Sequence, residues 1–223
     1  MQEFKYVYSD FQIEEYMVTF LKSVISTEWD KDKKEIVFLG DSIIRDYDLD
    51  RFFPKIKIKL FNCGVSGITT QGIQNIIKQG VIRHKPSTIV LLVGTNDMSE
   101  ENSKRDNEII DNISKLIIDL KIILKGVNIV FISILPCDEN RYGKNSMYGG
   151  GRTNERIQKL NSVFKEFENY YKDYIFIDAF KDLSDENGNL IKEYTHDGLH
   201  LNVAGYEKLT KKLNPIIEKL INK

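Results

Sequence analysis

Short apolar runs that stop at glycine or proline, alternating with helical patterns, constrain this chain more than any other feature. Glu35 to Leu39 stops at Gly40, Ser87 to Val93 follows Pro86 and stops at Gly94, and Val127 to Leu135 stops at Pro136. Ile56 to Phe61 and Tyr174 to Asp178 are two more such runs. Runs of this length, rich in β-branched and aromatic residues, read as buried strands. Between them, Thr69 to Gln79 and Lys104 to Lys125 carry helical patterns closed by Gly80 and Gly126. Thr153 is placed to cap a helix reaching about Tyr171. A last helix is expected from about Asn202 to Leu220, with Pro215 kinking it or splitting off a final turn. Asp185 to Asn189 reads as a hairpin tip. Strands alternating with helices build right-handed βαβ units. The expected fold is therefore α/β: a three-layer α/β/α sandwich around a flavodoxin-like five-stranded parallel sheet.

The 223 residues fit one domain without a Pro- or Gly-rich linker. Phe11, Glu14, Glu15, Val18, Leu21 and Lys22 suggest a helix ending near Trp29, so an N-terminal helical extension over about 1–34 is expected ahead of the first strand. With 32 basic and 33 acidic residues the net charge is -1, which argues against nucleic acid as a partner, because phosphate binding needs a basic surplus. No run approaches membrane-spanning length, and the first residues carry no signal-type apolar stretch. Cys63 and Cys137 suit a reducing compartment. A soluble, cytoplasmic protein is expected.

Four short segments carry chemistry: Gly40-Asp41-Ser42, Asn62-Cys63-Gly64-Val65-Ser66-Gly67, Gly94-Thr95-Asn96-Asp97 and Asp197-Gly198-Leu199-His200. The first three each follow an apolar run, so in a parallel sheet they converge on one edge. Ser42 stands where a helix should begin, which would aim backbone N–H groups at a developing oxyanion. A serine hydroxyl needs an adjacent base to become a nucleophile. Asp197, three residues before His200, can hold one imidazole nitrogen and leave the other free for the Ser42 proton. Gly64, through its N–H, and Asn96, through its side-chain amide, are the further oxyanion donors. Bland readings stand beside these. Asp41 or Ser42 can simply cap a helix, the glycine segment can be a plain strand-to-helix turn, and Asn96 can belong to an Asx turn. His196 and His200 also have the spacing of a zinc pair, but Asp replaces the glutamate of H-E-x-x-H and Gly198 weakens the helix it needs. No metal or cofactor is expected.

With these segments in order, the chain resembles the SGNH (GDSL-like) hydrolase superfamily, whose blocks are marked by Ser, Gly, Asn and His. The likeness runs from about Ile36 to Tyr206 and extends to Arg152-Thr153-Asn154 and Leu201-Asn202. Ile43 stands where many members have Leu. The resemblance implies a serine esterase or acylhydrolase with Ser42 as nucleophile, His200 as base and Asp197 as its orienter. It implies oxyanion donors from Ser42 N–H, Gly64 N–H and Asn96 Nδ2, and no metal. The loop from Cys137 to Arg152, polar and containing Gly149 to Gly151, leaves the fourth strand beside the expected site. It suits a lid facing a sugar or headgroup, or a plain solvent-exposed insertion. Short-chain O-acyl esters, of small molecules or carbohydrates, are the expected substrates. Two alternatives stay open: longer acyl chains of lysophospholipase or thioesterase type, and a non-catalytic carbohydrate-binding module of the same fold.

Overall fold

A computed structural model describes residues 34–143 and 150–222. The helix expected before Trp29 and the middle of the Cys137–Arg152 loop lie outside the described residues. The sheet has strands β1 (Ile36–Gly40), β2 (Leu60–Gly64), β3 (Thr88–Leu92), β4 (Asn128–Ile132) and β5 (Tyr174–Ile177). They run in the order β2-β1-β3-β4-β5, and every neighbouring pair is parallel. This is the expected flavodoxin-like arrangement, and it reverses direction between β1 and β3. A crevice opens at such a switch point, beyond the carboxyl ends of the strands.

Alternate residues of each strand bury against opposite helical layers. Phe38, Val90, Val130 and Ile177 face a layer that includes Leu209, Leu213 and Ile217. On the other face Phe131 meets Phe164, with ring centroids 5.1 Å apart. Burying one such side chain contributes about 1.5–3 kcal/mol, so these two faces supply most of the folding drive. The helices that matter for the site are α1 (Ser42–Arg45), α2 (Asp106–Ile123), α3 (Asn154–Glu166) and α4 (Val203–Ile221). Thr153 caps α3 by accepting the Arg156 N–H, as expected, and Asn202 caps α4 by accepting the Gly205 N–H. The hairpin tip also forms, with Asp185 Oδ1 accepting the N–H groups of Asn187 and Asn189.

Several boundaries differ from expectation. β2 begins at Leu60, because β1 starts at Ile36 and pairs with Leu60 first. Ile56 and Ile58 pack against the core without joining the ladder. The helix expected over 69–79 reduces to Ile73–Ile76, followed by wider and then tighter turns through His84. α4 is one helix through Pro215. The lost bond there costs a few kcal/mol, which fully buried Leu213 and Ile217, on either side of the proline, offset by anchoring both halves.

β4 stops at Ile132, short of Leu135, and side chains replace the ladder beyond it. Asn161 accepts from Ile134 N–H and donates to Ile134 O, both at 2.8 Å. Seven residues earlier on the same face of α3, Asn154 treats Cys137 likewise, accepting at 2.9 Å and donating at 2.8 Å. These amides satisfy buried backbone groups that no strand reaches, and so fix the chain where it turns toward the site.

Candidate active site

Ser42 opens α1 directly after β1. Its N–H, like every N–H in a first helical turn, has no intrahelical acceptor. Asp41 is the cap, its Oδ1 accepting the Ile43 N–H at 2.9 Å. The far end of the chain is brought here by α4: Tyr206 Oη donates to Ile43 O at 2.7 Å, and the Tyr47 and Tyr206 rings stack at 4.8 Å. His200 precedes α4 by three residues, so this clamp sets the distance between residues 158 apart in sequence. Ser42 Oγ lies 2.9 Å from His200 Nε2.

On the other side of the ring, His200 Nδ1 lies 2.6 Å from Asp197 Oδ2. A carboxylate only accepts, so Nδ1 carries the proton, and Nε2 of the neutral ring accepts from the Ser42 hydroxyl. Asp197 Oδ1 accepts the N–H groups of Leu199 and His200 at 2.9 and 2.8 Å. Burial alone would push this carboxyl up, but the His200 ring and the two backbone donors outweigh it and hold it at about 2. The tight loop needs Gly198, whose φ is +92°. Thr195 closes it by accepting the Gly198 N–H at 2.8 Å and donating to His200 O at 2.6 Å.

Gly64 serves packing first. A Cβ there would stand 2.1 Å from Arg45 N, so only glycine lets β2 end against α1. Its N–H donates to Asn62 Oδ1 at 2.9 Å, while the Asn62 amide ties down Ile44 O and Tyr47 O at 2.6 and 3.0 Å. Asn96 opens a short turn after β3 and spends one amide N–H on Ile68 O, at 3.1 Å. That leaves its second N–H. Next to it Asp97 is buried and accepts both the N–H and the hydroxyl of Thr70.

The sequence-expected residues thus gather at the carboxyl ends of β1, β2 and β3. Three participants were given no role from sequence: Asn62, Thr195 and the buried Arg152. Asn62 and Arg152 act on backbone carbonyls 15 and 57 residues away, which leaves no local pattern to read, whereas Thr195 acts on Gly198 and His200, three and five residues on. Tyr142, from the loop after β4, reaches Asp197 Oδ2 at 3.4 Å. A hollow of about 480 Å3 adjoins Asn96 and Leu199, rimmed by Ser99, Glu100, Asn102 and Arg141. A larger one, about 580 Å3, lies along α3 and the 185–188 hairpin and shares no residue with this cluster.

His196, Asp197 and His200 offer ligand atoms within 4.8 Å of one another. Both Asp197 oxygens are already held by N–H donors and His200 Nε2 faces Ser42, so a cation would have to dismantle the Ser–His–Asp chain to bind. The two cysteines are free; burial raises both thiols, Cys137 to about 12, which leaves little thiolate near neutrality.

The five-stranded parallel sheet with its flanking helices defines an α/β protein. The GDSL-like Lipase/Acylhydrolase family matches residues 38–208, and the chain belongs to that family. It is 27% identical over 185 residues to the N-acylneuraminate cytidylyltransferase of Escherichia coli O18:K1:H7, covering 82% of this chain and 40% of that protein. It is 31% identical over 137 residues to a multidomain esterase of Ruminococcus flavefaciens, covering 58% of this chain and 15% of that one. The chain therefore spans less than two thirds of the length of either relative. A GDSL-like lipase of Bacteroides thetaiotaomicron superposes with a TM-score of 0.72 at 22% identity, covering 91% of this chain and 97% of that one. Among the described residues no helix is long and apolar enough to cross a membrane.

Proposed function

We propose that this protein hydrolyses carboxylic esters with Ser42 as nucleophile, His200 as general base and Asp197 as its orienter. The observation that carries the reading is the unbroken chain from Ser42 Oγ through the imidazole to Asp197, at 2.9 and 2.6 Å. Ser42 Oγ attacks the ester carbonyl carbon while His200 Nε2 takes its proton. The carbonyl oxygen becomes an oxyanion held by Ser42 N–H and the second N–H of Asn96 Nδ2. Gly64 N–H joins as a third donor by exchanging Asn62 Oδ1 for the oxyanion. Collapse expels the alcohol, which receives the proton from His200. Water, activated by the same nitrogen, then frees the acid from the acyl-serine.

The substrates are short-chain O-acyl esters, of small molecules or carbohydrates. Support comes from the hollow beside Asn96, whose Ser99, Glu100, Asn102 and Arg141 suit a polar alcohol moiety. An acyl tunnel would add about 0.8 kcal/mol for each methylene it buries, and this rim sets charged and amide side chains where such a tunnel would need apolar ones. The test is a p-nitrophenyl ester series below micelle concentrations. Acetate and butyrate should show a higher kcat/KM than octanoate; a rate climbing with chain length would reassign the substrate to long acyl chains. A fluorophosphonate probe that fails to label Ser42 would leave only a binding module of the same fold.

A further inference from the structure

Arg152 lies outside the four sequence blocks, yet it is 2% exposed and reaches into the loop that carries Asn96. Its Nε donates to Thr95 Oγ1 at 3.1 Å and to Thr95 O at 3.2 Å, and its Nη2 donates to the same carbonyl at 2.9 Å. The guanidinium therefore grips the residue immediately before Asn96 by a two-nitrogen fork. The rest of that loop is held by Ile68 O on the Asn96 amide, by Thr70 donating its N–H and hydroxyl to Asp97, and by Lys104, whose ammonium lies 3.8 Å from Asp97 Oδ1. Arg152 stands just before Thr153, the cap of α3, and its guanidinium lies 5.9 Å from the centre of the Tyr142 ring. Asp41, the buried cap of the Ser42 helix, has one oxygen without a hydrogen-bond partner, and its charge and that of Arg152 act on one another.

A buried cation is costly to keep and is retained where its bonds fix geometry. We infer that Arg152 is a positioning residue: its guanidinium holds the Thr95 backbone and so sets where the Asn96 amide meets the oxyanion. The inference rests on the ester-hydrolase reading and on Asn96 as a donor. It makes no contact with substrate necessary. Lysine keeps the charge but offers a point donor in place of the fork, so Arg152→Lys isolates the geometry.

The experiment is a double-mutant cycle on p-nitrophenyl acetate with Arg152→Lys, Asn96→Ala and the pair. Arg152→Lys should lower kcat about tenfold to a hundredfold with KM nearly unchanged, because a small displacement of one donor acts on the transition state. In the Asn96→Ala background the same change should cost less than about twofold, since the donor it positions is gone. Equal losses in both backgrounds, or no loss in either, would overturn the inference. Arg152→Gln, which keeps one neutral amide donor in place of the two-nitrogen fork, repeats the cycle if Arg152→Lys does not fold, with the same two outcomes. Activity surviving in Ser42→Ala would break the underlying ester-hydrolase reading instead, so the two failures are separate.

Discussion

Asp197 accepts the His200 ring N–H on one oxygen, at 2.6 Å, and the His200 backbone N–H on the other, at 2.8 Å. One carboxylate thus holds both the ring and the main chain of the same residue. The imidazole is thereby fixed in place by the fold itself, with its orientation set by one side chain.

Replacing Ser42 with alanine should lower kcat for short esters on the order of a millionfold, by analogy with other serine hydrolases. Circular dichroism and the melting transition should stay near those of the parent, because only a hydroxyl is lost. Substantial turnover in the purified variant would disqualify Ser42, and Ser66, which bonds to Arg45, would be tested next.

Asp197→Asn should cost on the order of ten-thousandfold in kcat, since an amide no longer selects the tautomer that leaves Nε2 open. Dialysis of the parent against a chelator should leave its activity unchanged. Zinc-restorable activity would favour the His196–Asp197–His200 grouping as a metal site. The carboxyl has a stability signature as well. Its folded pKa of about 2 lies below the unfolded value. Its contribution is therefore present above the unfolded value and is lost as pH falls toward about 2. The stability gap between parent and Asp197→Asn should close over that range.

Asp41 should show the opposite sign. Desolvation raises its carboxyl from 3.8 to about 7, despite the Ile43 N–H and the charges of His200 and Arg152, with Asp97 adding to the rise. A folded pKa above the unfolded one means that ionising the group penalises the folded state increasingly from about pH 4 to about pH 7. Asn keeps the cap without the charge. Asp41→Asn should therefore gain stability relative to the parent across that window, by on the order of a few kcal/mol. Urea midpoints at several pH values measure it, and a difference that stays flat with pH would contradict the buried, titrating carboxyl.

Gly64→Ala places a methyl 2.1 Å from Arg45 N. Backbone cannot yield as a flexible side chain does, so α1 must shift and carry Ser42 with it. A loss of about 1–3 kcal/mol in stability, accompanied by loss of activity, is expected from thermal melts and rate measurements together. Full activity at an unchanged melting temperature would mean that α1 does not pack on β2 in this way.

The alternation of apolar runs and helical patterns was enough to specify five parallel strands. The order of the Ser, Gly, Asn and His segments was enough to nominate Ser42, Gly64, Asn96, Asp197 and His200. Both are legible because they are local: strands, caps such as Thr153 and Asn202, and an Asp three residues from a His are written in neighbouring residues. Ile56 and Ile58 show the limit, for their spacing reports burial while only the absence of a β1 partner decides that they are not strand. The tertiary structure alone decided that Gly64 N–H is taken by Asn62, that Asn154 and Asn161 extend β4 in place of a ladder, and that Arg152 grips Thr95. Each of these is a side chain bonding to backbone, most of them across more than fifteen residues. Such a bond depends on where the folded chain passes, not on any period along it.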